Sequence, residues 1–176
     1  MNPSSPTTPD LSPKSVDYSR VIMSHMLLPQ DANPAGIVHG GVVMKHIDNA
    51  AGVVAIRHTR SNCVTASIDR LDFHNPAFIG NLLTLKASLN MVGTTSMEVG
   101  VRVETEDLKT GEVRHTASAY LTFVALDKNF RPSSVPPLLL ETEDDRRRSR
   151  QAEDRRRVRL AEKTKEKCCQ SDPTIC

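Results

Sequence analysis

The stretch DANPAGIVHGGVVMKHIDNAAG, residues 31–52, places a carboxylate and a glycine pair at spacings that could support chemistry. Asp48 falls among apolar residues at helical spacing, where an acid is either a structural hydrogen-bond acceptor or a general base. Gly40 and Gly41 come at the expected start of that helix, where backbone N–H groups lack intrahelical partners and attract negative charge. Residue types alone leave both uses of Asp48 open.

Two more polar residues precede the helix. His39 can cap the helix or pack against it, and it can equally contact a ligand. Asn33 is followed by Pro34, a dipeptide typical of turns, although the Asn33 amide can also orient a water molecule or a carbonyl group. Each residue therefore has a structural and a functional interpretation.

The surrounding pattern predicts one helix enclosed by a sheet. Between Gly41 and His58 the apolar residues cover most of the helix circumference, which indicates that other structure surrounds this helix. A moderate strand signal precedes it at 19–27, and four strand-like runs follow at 64–68, 83–91, 97–103 and 113–126. Turn-forming separators favour antiparallel neighbours. We therefore predict an α+β fold with an antiparallel sheet curled around a central helix.

Composition divides the chain into four segments. Residues 1–16 are rich in Pro, Ser and Thr, which predicts a disordered leader, and the folded domain is expected at 17–140. Acidic residues followed by basic ones at 141–167 suit the dipole of one long helix with solvated charges. A disordered tail is expected at 168–176.

Charge, cysteines and hydropathy argue against several functional classes. The formal net charge is +2 and its basic excess lies mostly near the C-terminus, so no nucleic-acid partner is expected. The four cysteines lack zinc-finger spacing and the histidines share no ligand spacing, which predicts free thiols and no metal. No apolar run approaches the roughly 20 residues that cross a bilayer. We expect a soluble, cytoplasmic protein without membrane insertion.

The residue pattern resembles that of hotdog-fold acyl-CoA thioesterases. Asn33, the run His39-Gly40-Gly41 and Asp48 follow the family's order and spacing, and four later segments are also similar: VTASIDRLDFHNPAFIG, SMEVGVRVET, ASAYLTFVALD and VPPLLLETEDD. Over roughly residues 17–160 the chain resembles the brain-type cytosolic acyl-CoA hydrolases, chiefly their second hotdog domain. It is also similar to short bacterial thioesterases with one hotdog.

The resemblance implies hydrolysis of an acyl-CoA thioester to coenzyme A and a carboxylic acid. Coenzyme A is then part of the substrate, and no separate cofactor is expected. Asp48 is implied as the general base, or as a nucleophile that forms a mixed anhydride. Asn33 and the backbone at Gly40 and Gly41 are implied to stabilise the thioester, with His39 beside them.

Substrate contacts are expected around this centre. The loop that contains Thr94, Thr95 and Ser96 is first a hairpin turn, but in similar enzymes this loop lies along the pantetheine. Ser67 and Thr65 lie near the place where the family often has a water-positioning hydroxyl, although a role in the sheet fits them better. The phosphates of coenzyme A require basic residues at the site mouth, for which the candidates are Arg57, Arg60, Arg70 and Lys128, although a solvated surface charge explains each of them singly.

The family's two-domain members build each site from two hotdogs, one of which supplies the asparagine and the other the aspartate. A single chain that holds both is therefore expected to form at least a homodimer, and a hexamer made of three dimers. Ile37 stands where relatives have an asparagine or an aromatic residue, so no acyl chain length is predicted. Two alternatives remain: a non-catalytic sensor of acyl-CoA or nucleotides, and a thioesterase for acyl carrier protein or aryl-CoA.

Overall fold

The structure, a computed structural model, describes residues 10–171, with side chains described as far as residue 166. In chain order the elements are β1 (Lys14–Ser15), α1 (Val16–Ser19), β2 (Val21–Met26), a 3-10 turn (Pro29–Asp31), α2 (Gly40–Thr59), β3 (Asn62–Phe73), β4 (Leu82–Val92), β5 (Ser96–Asp107), β6 (Glu112–Leu126), β7 (Leu138–Leu139) and α3 (Glu143–Ser171). The long helix α2 crosses one face of a five-stranded antiparallel sheet with the strand order β2-β4-β5-β6-β3. A separate small parallel pair joins β1 to β7. The predicted α+β hotdog architecture is confirmed.

The core lies between α2 and the inner face of the sheet. Ala50, Ala51 and Ala55 are fully buried, and their small side chains let the sheet approach the helix closely. Alternate residues of the central strands point at the helix, so the inner face is apolar. Its largest buried members include Leu83, Leu85, Leu89, Val99 and Leu121. This packing fixes α2, and with it the helix start at Gly40.

Ordered structure begins earlier than the predicted boundary at Asp17. Lys14 is buried, and its ammonium group donates to the carbonyl of His58 at 3.0 Å. Because α1 occupies Val16–Ser19, the first long strand starts at Val21 and not at 19. The predicted leader at 1–16 is therefore wrong in its C-terminal part, and residues 1–9 lie outside the described chain.

The charged C-terminal helix is longer than predicted, and its charges are not all solvated. Helix α3 spans Glu143–Ser171, so it includes part of the predicted tail, whose last residues 172–176 lie outside the described chain. Ala152 on α3 is fully buried, and Arg155 and Arg159 reach across to carboxylates of the sheet. The arginine runs dock on the outer face of the sheet because that face is itself polar. Within residues 10–171, no helix is long and apolar enough to span a bilayer.

Candidate active site

Asp48 lies at the edge of the structure and not in its centre. The carboxylate faces β3, where the Thr65 hydroxyl donates to Asp48 Oδ1 at 2.6 Å. Asp48 remains partly exposed because β3 is the last strand of the sheet and leaves that side of α2 open. Among the described residues, no other side chain or backbone donor bonds this carboxylate. The result is an oriented acid with one oxygen free for water.

The start of α2 is capped by His39. Its Nδ1 accepts from the Gly41 N–H at 2.9 Å, which requires the neutral imidazole with its proton on Nε2. Of the roles predicted for His39, the structure therefore shows helix capping. It also removes the Gly41 N–H from the expected pair of free donors. Of the two, only the Gly40 N–H lacks an acceptor among residues 10–171.

Asn33 forms a turn and also presents an amide donor. Its Oδ1 accepts from the backbone N–H groups of Ala35 at 2.9 Å and Ile37 at 3.3 Å, which is a turn-forming role. The Asn33 N–H closes the same loop by donating to the carbonyl of Ile37 at 2.7 Å. Nδ2 meets no acceptor within the described chain, so the loop holds a fixed amide donor that a ligand can use.

A cleft of about 390 Å³ opens beside Asn33 and Gly40. Most of its wall is apolar, and a few polar groups interrupt it; the other lining residues are Ile37, Val38, Val43, Phe73, His74, Asn75, Pro76, Ala77 and Thr116. Asp48 is not among the residues that line this cleft. Asp48 comes eight positions after Gly40 in α2, a rise of about 12 Å at 1.5 Å per residue. One chain therefore holds the acid apart from the amide donors.

The surface around Asp48 is apolar, and the strand beside it has an open edge. Strand β3 is an outer strand, and three of its large side chains are about half exposed: Val64 at 47%, Ile68 at 42% and Phe73 at 50%. Met44 on α2, one turn before Asp48, is also 39% exposed. An edge strand with apolar side chains offers unpaired backbone groups to another strand. The acid thus lies at a surface suited to pairing with a second chain.

The structure does not place several predicted substrate-binding residues at this centre. Ser67 donates to Asp69 at 2.7 Å on the side of the sheet covered by α3. At the C-terminal end of α2, away from the cleft, Arg57 bonds the Arg20 carbonyl and Arg60 bonds the Tyr18 hydroxyl. In the single chain, local partners hold all three side chains, and the predicted substrate contacts of Ser67, Arg57 and Arg60 stay predictions.

The hairpin between β4 and β5 keeps its structural role. Gly93 donates to the Ser96 carbonyl at 2.7 Å, and the Thr94 and Thr95 carbonyls accept from Val135 and Ala125 at 3.0 Å each. The hairpin does not line the cleft beside Asn33. Its predicted contact with pantetheine stays a prediction. Of the other basic candidates, Arg70 pairs with Asp72 on the edge strand, and Lys128 is exposed in a turn.

The sequence favours a role in the sheet for Thr65, and the structure adds its contact with Asp48. The alternation of side chains along β3 indicates the direction of the Thr65 side chain. Cys63 is two residues earlier and therefore points to the same face, and its thiol lies 3.3 Å from the Thr59 hydroxyl of α2. A hydroxyl in phase with a helix-facing side chain is directed at the helix. The sequence does not show which residue of α2 the Thr65 hydroxyl contacts.

Sequence comparison places the chain among known proteins. Residues 35–112 match the thioesterase superfamily. Helicobacter pylori protein VdlD is 39% identical over 150 residues, or 85% of this chain and 86% of that protein. The Bacillus subtilis uncharacterized acyl-CoA thioester hydrolase YkhA is 42% identical over 127 residues, or 72% and 74% of the two chains. Human cytosolic acyl coenzyme A thioester hydrolase is 38% identical over 138 residues, which are 77% of this chain but 36% of that protein.

Solved structures agree with these matches. An apo-hexameric acyl-CoA thioesterase superposes with a TM-score of 0.83 at 38% identity, covering 86% of this chain and 97% of that one. Acyl-CoA hydrolase from Staphylococcus aureus, in complex with butyryl coenzyme A, coenzyme A and coenzyme A disulfide, gives 0.83 at 33% identity, covering 90% and 96%. Alanine variants of that enzyme at an aspartate, an asparagine and a threonine are also similar in structure. The chain therefore belongs to the thioesterase superfamily, among the hotdog-fold acyl-CoA thioester hydrolases.

Proposed function

We propose that this chain hydrolyses acyl-CoA to free coenzyme A and a carboxylic acid, and that each active site is built by two copies. The observation that carries the proposal is the division of the site within one chain. Asp48 and Thr65 lie at an exposed apolar edge, whereas Asn33 and Gly40 lie at a separate cleft. Pairing two copies through that edge brings the acid of one to the cleft of the other.

The spacing of these residues supports their roles. The three altered residues of the Staphylococcus aureus enzyme are an asparagine, an aspartate 15 positions later and a threonine 17 positions after that. Asn33, Asp48 and Thr65 repeat both intervals. The sequence predicts roles for Asn33 and Asp48, and the hydrogen bond from the Thr65 hydroxyl to Asp48 at 2.6 Å supports including Thr65.

Each side chain then has one step in the reaction. Thr65 holds one oxygen of Asp48, and the other oxygen takes a proton from a water that attacks the thioester carbon. The carbonyl oxygen gains negative charge, which the Asn33 amide and the Gly40 N–H of the partner copy stabilise. The intermediate collapses, the carbon–sulfur bond breaks, and the coenzyme A thiolate leaves with the proton that Asp48 had accepted, which restores the carboxylate. The apolar wall of the cleft excludes bulk water from the acyl group.

The dimer also accounts for the exposed apolar strand. Pairing β3 with its copy gives one continuous sheet and covers Val64 and Ile68. Such a contact is isologous, so it makes two equivalent sites per dimer. Because the apo structure of a similar thioesterase is hexameric, we propose that three such dimers associate in this protein as well.

Subunit mixing tests the shared site directly. Asn33→Ala and Asp48→Ala are each expected to abolish most turnover, measured as free thiol released from acyl-CoA. After subunit exchange at equal amounts, half of the dimers are mixed, and each has one intact site, so activity returns to about one quarter of wild type. Mixing Asn33→Ala with the double variant Asn33→Ala, Asp48→Ala is the matched control and restores nothing.

Two outcomes contradict the proposal. If verified exchange restores no activity, the acid and the amide donors belong to one chain. If acyl-CoA binds tightly but no coenzyme A is released by the wild-type protein, the chain is a sensor and not a hydrolase.

A further inference from the structure

A second pocket lies on the outer face of the sheet, beneath the first turns of α3. Lys86, Ser88 and Asn90 alternate with the inward-facing residues of β4, so this face is opposite to α2 and to the cleft. Ser88, Gly100 and Tyr120 are neighbours in register on three adjacent strands, where they form its floor. The pocket holds about 230 Å³. None of its residues belongs to the proposed hydrolase site.

Its rim carries more positive than negative charge. Five cationic side chains surround it: Lys86, Arg102, Arg147, Arg148 and Arg155. Among the residues that the structure describes, three carboxylates pair with them. Lys86 and Arg102 share Glu104 at 2.6 and 2.7 Å, Arg147 and Arg148 share Asp144, and Arg155 alone pairs with Glu98. Within the described part of the chain, the cations of this rim therefore exceed their carboxylate partners by two.

The floor is polar and already formed. Asn90 is 3% exposed and Ser88 is 5% exposed, so both are held by their surroundings and not by solvent. A Cβ on Gly100 would lie 2.7 Å from Asn90 Nδ2, so only glycine leaves this side chain where it is. Arg155 stacks on the Tyr120 ring with its guanidinium 3.7 Å from the ring centroid. These contacts fix the wall and the base of the pocket without any ligand.

We propose that this outer-face basic pocket binds a phosphoryl or pyrophosphoryl group. Guanidinium groups bind phosphate oxygens with paired N–H donors, and the excess of two positive charges matches such an anion. The volume suits a small phosphate and is below that of ordinary pockets for larger ligands. The anion contacts β4 and β5 on one side and α3 on the other. Its binding therefore strengthens the docking of α3 on the sheet.

Calorimetric titration of pyrophosphate and of inorganic phosphate into the full chain tests the proposal. We expect saturable binding at one site per chain, at a constant low concentration of chloride because salt screens the rim charges. Arg102→Gln with Arg148→Gln, one change on each wall, is expected to weaken binding at least about tenfold. The control pair, Arg131→Gln with Arg150→Gln, removes the same charge from exposed positions outside the pocket and leaves binding unchanged.

A second readout follows the helix itself. In the wild-type chain, pyrophosphate should slow amide hydrogen exchange over residues 144–159, and it should not do so in the Arg102→Gln, Arg148→Gln variant. Competition by coenzyme A would identify its phosphates as a source of the anion, whereas no competition would identify a free phosphate. Asp48→Ala is expected to bind pyrophosphate like wild type, so failure of the proposed hydrolase function would leave this result unaffected. Absence of saturable binding, or equal losses in both double variants, would overturn the proposal.

Discussion

Thr65→Val isolates the hydrogen bond that orients Asp48. Valine has the shape of threonine and suits a β-strand, so the change removes the hydroxyl and little else. Thr65 is exposed at the sheet edge, and folding stability should change little. We expect kcat to fall while KM stays within about threefold, because the bond acts on the base and not on substrate binding.

The size of the effect follows from the type of bond. Hydrogen bonds to charged groups contribute roughly 1.5–3 kcal/mol. Because the partner covers this edge in the proposed active dimer, the whole range applies, and it corresponds to a fall in kcat of roughly 10- to 150-fold. Thr65→Ser keeps the hydroxyl and should retain kcat within a few-fold.

The assay is the release of coenzyme A thiol from a saturating acyl-CoA, read with a colorimetric thiol reagent. Enzyme at catalytic concentration keeps its own four cysteines from contributing to the signal. A double-mutant cycle with Asp48→Asn then tests the coupling: in that background, Thr65→Val should cost little more. Wild-type kcat in Thr65→Val, or fully additive losses in the cycle, would refute the reasoning.

Three shorter predictions concern the helix cap, a buried histidine and the dimer edge. His39→Ala should lower the free energy of unfolding by about 0.5–2 kcal/mol in urea titrations, because the Gly41 N–H loses its acceptor, and His39→Asn should restore most of it. Burial lowers the pKa of His58 below its usual 6.5, and its buried Nδ1 has no partner within the described chain, so the native state resists its protonation. The stability that neutral His58 contributes is then present above pH 6.5 and is lost as the pH falls below that value. Urea unfolding midpoints measured above and below pH 6.5 should show this loss in the wild type and not in His58→Gln. Ile68→Lys should yield monomers without activity by light scattering and thiol release, whereas Ile22→Lys on the opposite edge strand should keep the dimer.

Periodicity was enough to predict the central helix and the sheet. The apolar spacing from Gly41 to His58 predicts a helix that the structure has at Gly40–Thr59, because burial against the sheet requires that spacing. The docking of α3 was not predictable in the same way. Polar residues that alternate along a strand usually face water, and here they face arginines from a helix that lies far along the chain. A charge pattern does not show which opposite charges will meet.

The same distinction, between local sequence patterns and contacts between elements, applies to the candidate site. Asn33, Gly40 and Asp48 could be predicted because the motif that resembles the family's is a local property of one segment. The loss of the Gly41 N–H to His39 depends on a side-chain rotamer, and the contact of Thr65 with Asp48 depends on how β3 lies beside α2. Neither follows from spacing. Contacts between elements decide which of several capable groups remain free for a substrate.

The position of Asp48 explains how an acid can lie among apolar residues. An acid among apolar residues is costly only where the chain itself removes it from water, and in the single chain Asp48 stays partly exposed beside an unpaired strand. Assembly through that strand would exclude water from the carboxylate only when a partner brings the Asn33 amide and a free helix N–H to the same place. The low-dielectric environment that strengthens electrostatic stabilisation would then form together with the groups that provide it. In the proposed dimer, the exposed apolar edge and the Asp48 carboxylate are two parts of one site, and an isolated chain is then expected to be inactive.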